Sequence, residues 1–342
     1  MELYVGLDVS LDMTAVCVLD GAGKIVWRGR CSSTPDAIAR VVREHAPTAV
    51  RIGLEAGQLS TWLVHGLRKL GLPAICLDAR HAKAALSLQL NKTDDNDALG
   101  LAHIVRTGWY REVAVKSMDS QTTRALLMAR AHLVSQRQTT ANLIRGLLKT
   151  FGLLVGQAGG GRFALRVREL IADHPALVAI VEPLLTVWQT LREQVADLDR
   201  QVRVRAREDA RVRRLMTAPG VGVVVALAYT AVIDDPARFA KSSSVGAYLG
   251  LTPRRYQSGE VDYDGHISRC GDGLLRSYLF EAANVVLSRL TKPSWLKEWG
   301  EALAQRIGAR KAKVAVARKL AVVLHRMWMD EQEFRWSPTA AA

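Results

Sequence analysis

The hydrophobic and polar positions change period repeatedly along the first eighty residues. Residues 3–9 (Leu-Tyr-Val-Gly-Leu-Asp-Val), 12–19 and 24–31 alternate apolar with polar side chains, and Gly21-Ala22-Gly23 separates the latter two stretches. Alternation of that kind marks half-buried strands, so the pattern predicts a strand followed by a hairpin. The period lengthens to that of an amphipathic helix over 35–45 and shortens to a strand over 49–54 that ends at Glu55. A helix over 59–70 and a strand over 74–78 follow. An antiparallel hairpin followed by alternating strands and helices, with acids at strand ends, is the order of an α/β ribonuclease-H-like mixed sheet.

Helical periods dominate the rest. Thr93-Asp94 offers a cap for a helix within 91–108, and Asp94 and Asp97 then share its first turn. A second long helical stretch covers 121–150 and cannot continue through the glycines of 156–161. From Leu177 the apolar positions run Val181, Leu184, Trp188, Leu191, Val195, Leu198 and Val202, alternately four and three apart. This heptad seam predicts a coiled coil, packed either against 121–150 or against a second subunit, and dimerisation is the working expectation. Arg200, Arg203, Arg205, Arg207, Arg211, Arg213 and Arg214 follow, as a solvated face or a phosphate contact. Ala218-Pro219-Gly220-Val221-Gly222 and an apolar helix over 223–233 open a mostly α-helical C-terminal region. The turn resembles helix-hairpin-helix loops, in which amides such as those of Gly220 and Gly222 hold a DNA phosphate; it reads equally well as a plain connection. The expected domains are 1–110, a helical coiled-coil region over 118–212, a third domain over 213–330 and a flexible tail over 331–342.

Charge narrows the partner. The 342-residue chain carries 47 Lys and Arg against 33 Asp and Glu, a net +14. A surplus that large points to a polyanion, with nucleic acid first, although a basic surface also serves solubility. Cys17, Cys31, Cys76 and Cys270 have neither CxxC spacing nor a disulfide framework. No segment holds about 18 uninterrupted apolar residues, and the N-terminus lacks a basic stretch followed by an apolar one, so a cytoplasmic protein without membrane contact is expected.

Four acids then stand out. Metal-assisted phosphoryl transfer needs carboxylates converging on one point, because Mg²⁺ prefers hard oxygen ligands. Asp8 and Glu55 end strands, and Asp94 and Asp97 lie three apart on one side of their helix; Asp95 points elsewhere. Any one of them alone reads as a cap or surface residue. A second candidate site is the polar, basic loop Leu249-Gly250-Leu251-Thr252-Pro253-Arg254-Arg255-Tyr256-Gln257-Ser258-Gly259. Gly259 leaves Ser258 accessible, and Arg254 and Arg255 can clamp phosphate oxygens. A serine attacking phosphorus conserves the bond energy as a phosphoserine, which suits cutting and rejoining. On chemistry alone Tyr256 is a rival nucleophile, or a base-stacking residue.

Gly6-Leu7-Asp8, Leu54-Glu55-Ala56 and Lys92-Thr93-Asp94-Asp95-Asn96-Asp97-Ala98 resemble the DEDD motif of a family of insertion-sequence transposases, with a departure at Gly57-Gln58. The resemblance covers nearly the whole chain. It implies a RuvC-like nuclease domain first, a coiled coil, and a transposase domain last, whose Leu-Thr-Pro-Arg segment precedes a nucleophilic serine matching Ser258. Asp8, Glu55, Asp94 and Asp97 are accordingly expected to bind Mg²⁺, with Mn²⁺ as a substitute, and Lys92 beside them is an expected nucleic-acid contact. Gly265-His266-Ile267-Ser268-Arg269-Cys270-Gly271 resembles the family's following segment, with His266 as a hydrogen-bonding residue. The partners implied are element and target DNA, a structured noncoding guide RNA, and further copies of the chain, as a dimer or tetramer with composite active sites. The rival readings are a metal-dependent, junction-resolving nuclease that uses water, and a non-catalytic nucleic-acid scaffold.

Overall fold

The computed structural model describes residues 1–87 and 91–337, which form two compact units, Met1–Lys116 and a second from Ser117 onward. The first is a five-stranded sheet with helices on both faces. Its strands are β1 (Leu3–Val9), β2 (Met13–Asp20), β3 (Ile25–Ser32), β4 (Ala49–Glu55) and β5 (Ala74–Leu77), in the order β3-β2-β1-β4-β5. Central β1 is antiparallel to β2 and parallel to β4, so the sheet is mixed as the sequence predicts.

Period-two alternation sorts the side chains. Leu3, Val5 and Leu7 of β1, Val16 and Val18 of β2, and Ile52 and Leu54 of β4 are buried on one face under α1 (Pro35–His45) and α2 (Ser60–Lys69). The opposite face carries the small bed on which α4 (Asp94–Thr107) lies: Ala15, Cys17 and Leu19 pack on Ala98 and Ala102. Thr34 caps α1 and Thr93 caps α4, each accepting from a backbone N–H three residues on, which makes Asp94 the first helical residue rather than the cap. A further helix, α3 (Ala79–Leu86), follows β5 directly, because Asp78 accepts from the amides of Arg80 and His81.

The second unit is mostly helical, as expected: α5 (Met118–Lys149), α6 (Arg162–Ile171), α7 (Pro175–Glu208), α8 (Ala210–Leu215), α9 (Val223–Ile233), α10 (Ser244–Tyr248), α11 (Gly273–Ser288), α12 (Trp295–Ile307) and α13 (Ala309–Met329). Helix α5 runs antiparallel to α7, with Arg205 bridging to Asp119 at 3.1 Å and Arg130 to Asp199 at 2.5 Å. The heptad seam is largely covered by its own chain. Leu177, Val181, Leu185 and Trp188 pack with Ala141, Ile144 and Leu148 of α5 and with Phe163, Val167 and Ile171 of α6. Leu185 takes the place expected for Leu184, and Leu191 and Leu198 are only half-buried. Much of the surface assigned to a second subunit is therefore spent within the chain. The C-terminal core closes around α9, which is buried from Ala226 to Ile233.

Two expectations are corrected here. Residues 249–259 are not simply a loop, since β6 (Pro253–Ser258) pairs antiparallel with β7 (Val261–Ile267) in a two-stranded ribbon. Residues 331–337, expected to start a flexible tail, are anchored: Phe334 is buried, stacks on Trp295 at 5.9 Å, and its N–H donates to Thr217. The remainder of that tail, 338–342, lies outside the described residues.

Candidate active site

Two glycines bring the acids of the first unit together. In the parallel pair β1–β4, Gly6 lies beside Gly53 and Leu7 beside Leu54, so Asp8 and Glu55 follow on adjacent strands at the same end of the sheet. Both glycines face α4. A Cβ on Gly6 would meet the Ala98 carbonyl oxygen at 2.2 Å and the Ala102 nitrogen at 2.3 Å, and one on Gly53 would meet Val105 Cγ2 at 2.3 Å. The helix lies on bare backbone there. Its rows of residues four apart continue toward its N-terminus, Ala102 and Ala98 to Asp94, Val105 and Leu101 to Asp97. A glycine inside a strand pattern is itself a sign of close backbone approach, so this contact had a signal in the sequence.

The electrostatics report how near the four acids are. The Asp8 carboxyl is raised to about 6, first by burial, then by the negative charges of Asp97, Asp94 and Glu55, with Lys92 easing it. Burial followed by Asp97 raises Glu55, opposed by Lys92 and Lys83. Lys92 is thus an exposed cation beside the acids. The loops after β1 and β4 wall a cleft of about 380 Å³ that runs from Asp8 to Leu11 and from Leu54 to Ser60. The loop after β1 is tied back by Ser33, whose hydroxyl donates to the Ser10 carbonyl and bonds Thr14 at 2.8 Å.

No motif or period in the sequence singles out Arg30, on β3. Through the register Asp8↔Ala15↔Arg30 it shares a row of the sheet with Asp8, on the α4 face. Its guanidinium donates to Asp95 at 3.1 Å and 3.3 Å and lies 3.6 Å from Asp94. Asp95 therefore anchors the first turn of α4, while Asp94 is drawn toward the same cation. Among the described residues, no three His, Cys, Asp or Glu side chains close around a single point as ligands. The donor set nevertheless fits a hard divalent cation in kind, being carboxylate oxygens with unbalanced negative charge.

In the second unit Ser258 is the last residue of β6, and Gly259-Glu260 makes the turn to β7. Gly259 has φ 55°, a conformation glycine takes without a Cβ penalty. Every residue of β6 is exposed. Arg255 forms a two-pronged ion pair with Asp262, Arg254 donates to the Ser268 carbonyl, and the Tyr256 ring lies 5.5 Å from that of Tyr263. The Ser258 side chain makes no hydrogen bond among the described residues, and His266 is exposed on β7. Ser242 instead meets buried His325 at 3.0 Å. Gly220 has φ 75°, and a Cβ there would meet the Ala282 oxygen of α11 at 2.4 Å, so close packing alone accounts for it. Gly222, with open space at its Cβ position, is the cap residue that precedes α9.

Comparison with known proteins places these two parts. Residues 5–152 match the DEDD transposase domain of the IS110 group, and residues 212–299 match the transposase domain of the IS116/IS110/IS902 family. The chain belongs to the IS110 family of DEDD transposases. It is 27% identical over 339 residues to the transposase for insertion sequence element IS1111A of Coxiella burnetii, covering 96% of this chain and 90% of that one. It is 28% identical to a Pseudomonas aeruginosa protein named "Probable family 20 transposase", over 97% of this chain and 98% of that one. The transposase for element IS1328 of Yersinia enterocolitica is 29% identical over 68% of this chain and 70% of its own. No described helix of this family member is long and apolar enough to cross a membrane.

Proposed function

We propose that this chain moves an insertion sequence by cutting and rejoining DNA, with Asp8, Glu55, Asp94 and Asp97 as metal ligands and Ser258 as nucleophile. Family membership makes it a transposase, an enzyme acting on DNA. The single observation that carries the acidic half is the crowding of negative charge on Asp8, which Asp97, Asp94 and Glu55 produce together. When bound, Mg²⁺, or Mn²⁺ in its place, stabilises charge on the attacking and leaving oxygens. The chain's own residues do the rest. The Ser258 oxygen bonds to phosphorus as its proton passes to a base, and the ester bond to one DNA strand breaks, its oxygen taking up a proton to leave as a strand-end hydroxyl. The phosphoserine keeps the ester for attack by the strand to be joined. Arg254 and Arg255 lie within four residues of Ser258 on β6, and Arg255 exchanges Asp262 for phosphate when DNA arrives.

Among the described residues the Ser258 hydroxyl has no base bonded to it, which fits a composite site completed by the acids of another copy. The net charge of +14 suits RNA as well as DNA, consistent with a structured noncoding guide that pairs with donor and target. The test is incubation of the full chain with Mg²⁺, the element's junction DNA and its flanking transcript, followed by a denaturing gel. A protein–DNA adduct lost in Ser258→Ala is the expected result. The exposed, unpartnered Ser258 also favours one rival, a hydrolytic nuclease in which the acids activate water. That reading predicts cleavage without an adduct, surviving Ser258→Ala.

A further inference from the structure

Among the described residues, Arg30 is the one cation with a direct ion pair to the acids of α4, and its partners are divided. It reaches Asp95, outside the predicted ligand set, and Asp94, inside it, at 3.1 Å and 3.6 Å. A guanidinium holding one carboxylate by both Nε and Nη2 keeps its place while a second carboxylate comes and goes. The Asp94 end of the pair is the freer one. The Asp94 side chain is 63% exposed, whereas that of Arg30 is 50% exposed and is also held by Asp95. The backbone beneath does not move: Thr93 caps the helix, and α4 lies directly on Gly6. What is left adjustable is the Asp94 side chain, which lies 3.6 Å from Arg30 and adds its negative charge to the field on Asp8. That division accounts for carboxylates that crowd Asp8 without closing around a point.

We propose that Arg30 is a positioning residue that governs metal entry: it shares Asp94 while the site is resting and yields it to the incoming cation, Asp95 retaining the guanidinium so that the exchange is reversible. Arg30 touches neither DNA nor the reacting atoms in this role. It sets how much of the Asp94 charge is available to the cation, and Asp95 sets how firmly Arg30 competes for it. The two residues of one ion pair therefore act in opposite directions. Removing Arg30 frees Asp94 and tightens cation binding. Removing the Asp95 charge releases Arg30 onto Asp94 and weakens it. Because Asp95 acts only through Arg30, its removal has no effect once Arg30 is gone.

The inference rests on the acids being cation ligands, and the experiment separates the two claims. Mn²⁺ is titrated into the full-length protein without nucleic acid, and binding is read by water-proton relaxation and by the shift in thermal unfolding. Wild type, Asp8→Asn, Arg30→Gln, Asp95→Asn and the Arg30→Gln/Asp95→Asn double variant are compared, each first unfolded without metal to confirm that it is folded. The expected result is a dissociation constant lowered roughly two- to fivefold in Arg30→Gln and raised by a similar factor in Asp95→Asn, the scale of exposed ion pairs. The double variant should match Arg30→Gln. Wild type that binds no more Mn²⁺ than Asp8→Asn would overturn the metal site and this role with it. Wild-type binding with both single variants shifted the same way means that the pair only braces α4 and overturns this role alone. So does binding that neither variant moves, or an Asp95→Asn effect that persists without Arg30.

Discussion

Asp8 rises from a central strand flanked on both sides, under a helix packed so closely that Gly6 has no room for a methyl group. Ser258 ends a strand whose every residue is exposed, paired with only one neighbour. The backbone that carries the acids is held against backbone, as rigid as the core beneath it, and only side chains such as that of Asp94 are left to adjust. A two-stranded ribbon is marginal by itself in water, so the serine's geometry depends on what the ribbon meets. The difference assigns the two halves different sensitivities. The acidic half should fail when its packing is disturbed, and the serine half should fail only when its chemistry or its turn is.

The largest effect tests the packing. Gly6→Val places two methyl groups where the Ala98 oxygen would lie 2.2 Å from the first carbon alone, and helix backbone cannot rotate out of the way. The expected loss is about 3 kcal/mol or more, with activity lost alongside, measured by urea unfolding of the full chain. A near-normal urea midpoint would mean that α4 is not seated on β1 as described, and the contrast with the ribbon would collapse.

Next comes Asp8→Asn, in which activity and stability should part. The Asp8 carboxyl goes from 3.8 unfolded to about 6 folded, so the native state holds its proton more tightly. A raised acid leaves stability intact below the unfolded value and erodes it as pH climbs between the two. Without divalent cations, wild type should therefore weaken from pH 4 to pH 6, and Asp8→Asn should weaken less. Two pH units correspond to about 3 kcal/mol, but half-exposure and screening reduce the expected gain of Asp8→Asn at pH 7 to about 1 kcal/mol. Thermal melts in EDTA at both ends of that range check it, with DNA cleavage expected to be absent. A variant less stable than wild type at pH 7 would mean that the acids are structural.

Ser258→Ala should show the reverse pairing. The adduct disappears, while stability stays within about 0.5 kcal/mol, because an exposed hydroxyl at a ribbon tip supports nothing else. An unfolding midpoint well below wild type would show that the ribbon is packed in a way the free chain does not display.

How much of this was readable in the sequence differs between the halves for the same physical reason. The order of strands and helices from Leu3 to Leu77 followed from period, because a two-faced sheet forces alternation on every strand. Asp8 and Glu55 followed from strand ends, and Asp94 and Asp97 from helix spacing. Arg30 did not, since its importance lies in cross-strand register, which pairs residues far apart in sequence. The seam of α7 was visible, but its partner was not: a heptad stripe fits a helix of the same chain as well as one from another. The ribbon reads as a loop in the sequence because Pro253, Arg254, Arg255, Gln257 and Ser258 give no buried face to alternate with, and α3 has no strong sequence signal beyond the cap at Asp78.

The smallest expected effect falls on the turn. Gly259 has φ 55°, and nothing lies within 4 Å of where its Cβ would be, so a side chain there meets conformational strain but no steric clash. Alanine in that region costs about 1 kcal/mol, and asparagine tolerates it better because its short polar side chain can bond locally. Gly259→Ala should therefore lower adduct yield several-fold by depopulating the ribbon, Gly259→Asn should recover most of it, and neither should move the unfolding midpoint of the helical core. The comparison between the alanine and asparagine variants decides what the glycine is for. If both abolish the adduct as fully as Ser258→Ala, the open space beside Gly259 is needed for close approach of DNA backbone rather than for the turn. If alanine matches wild type, the ribbon is held by more than its own pairing, and the serine half is as firmly built as the acidic one.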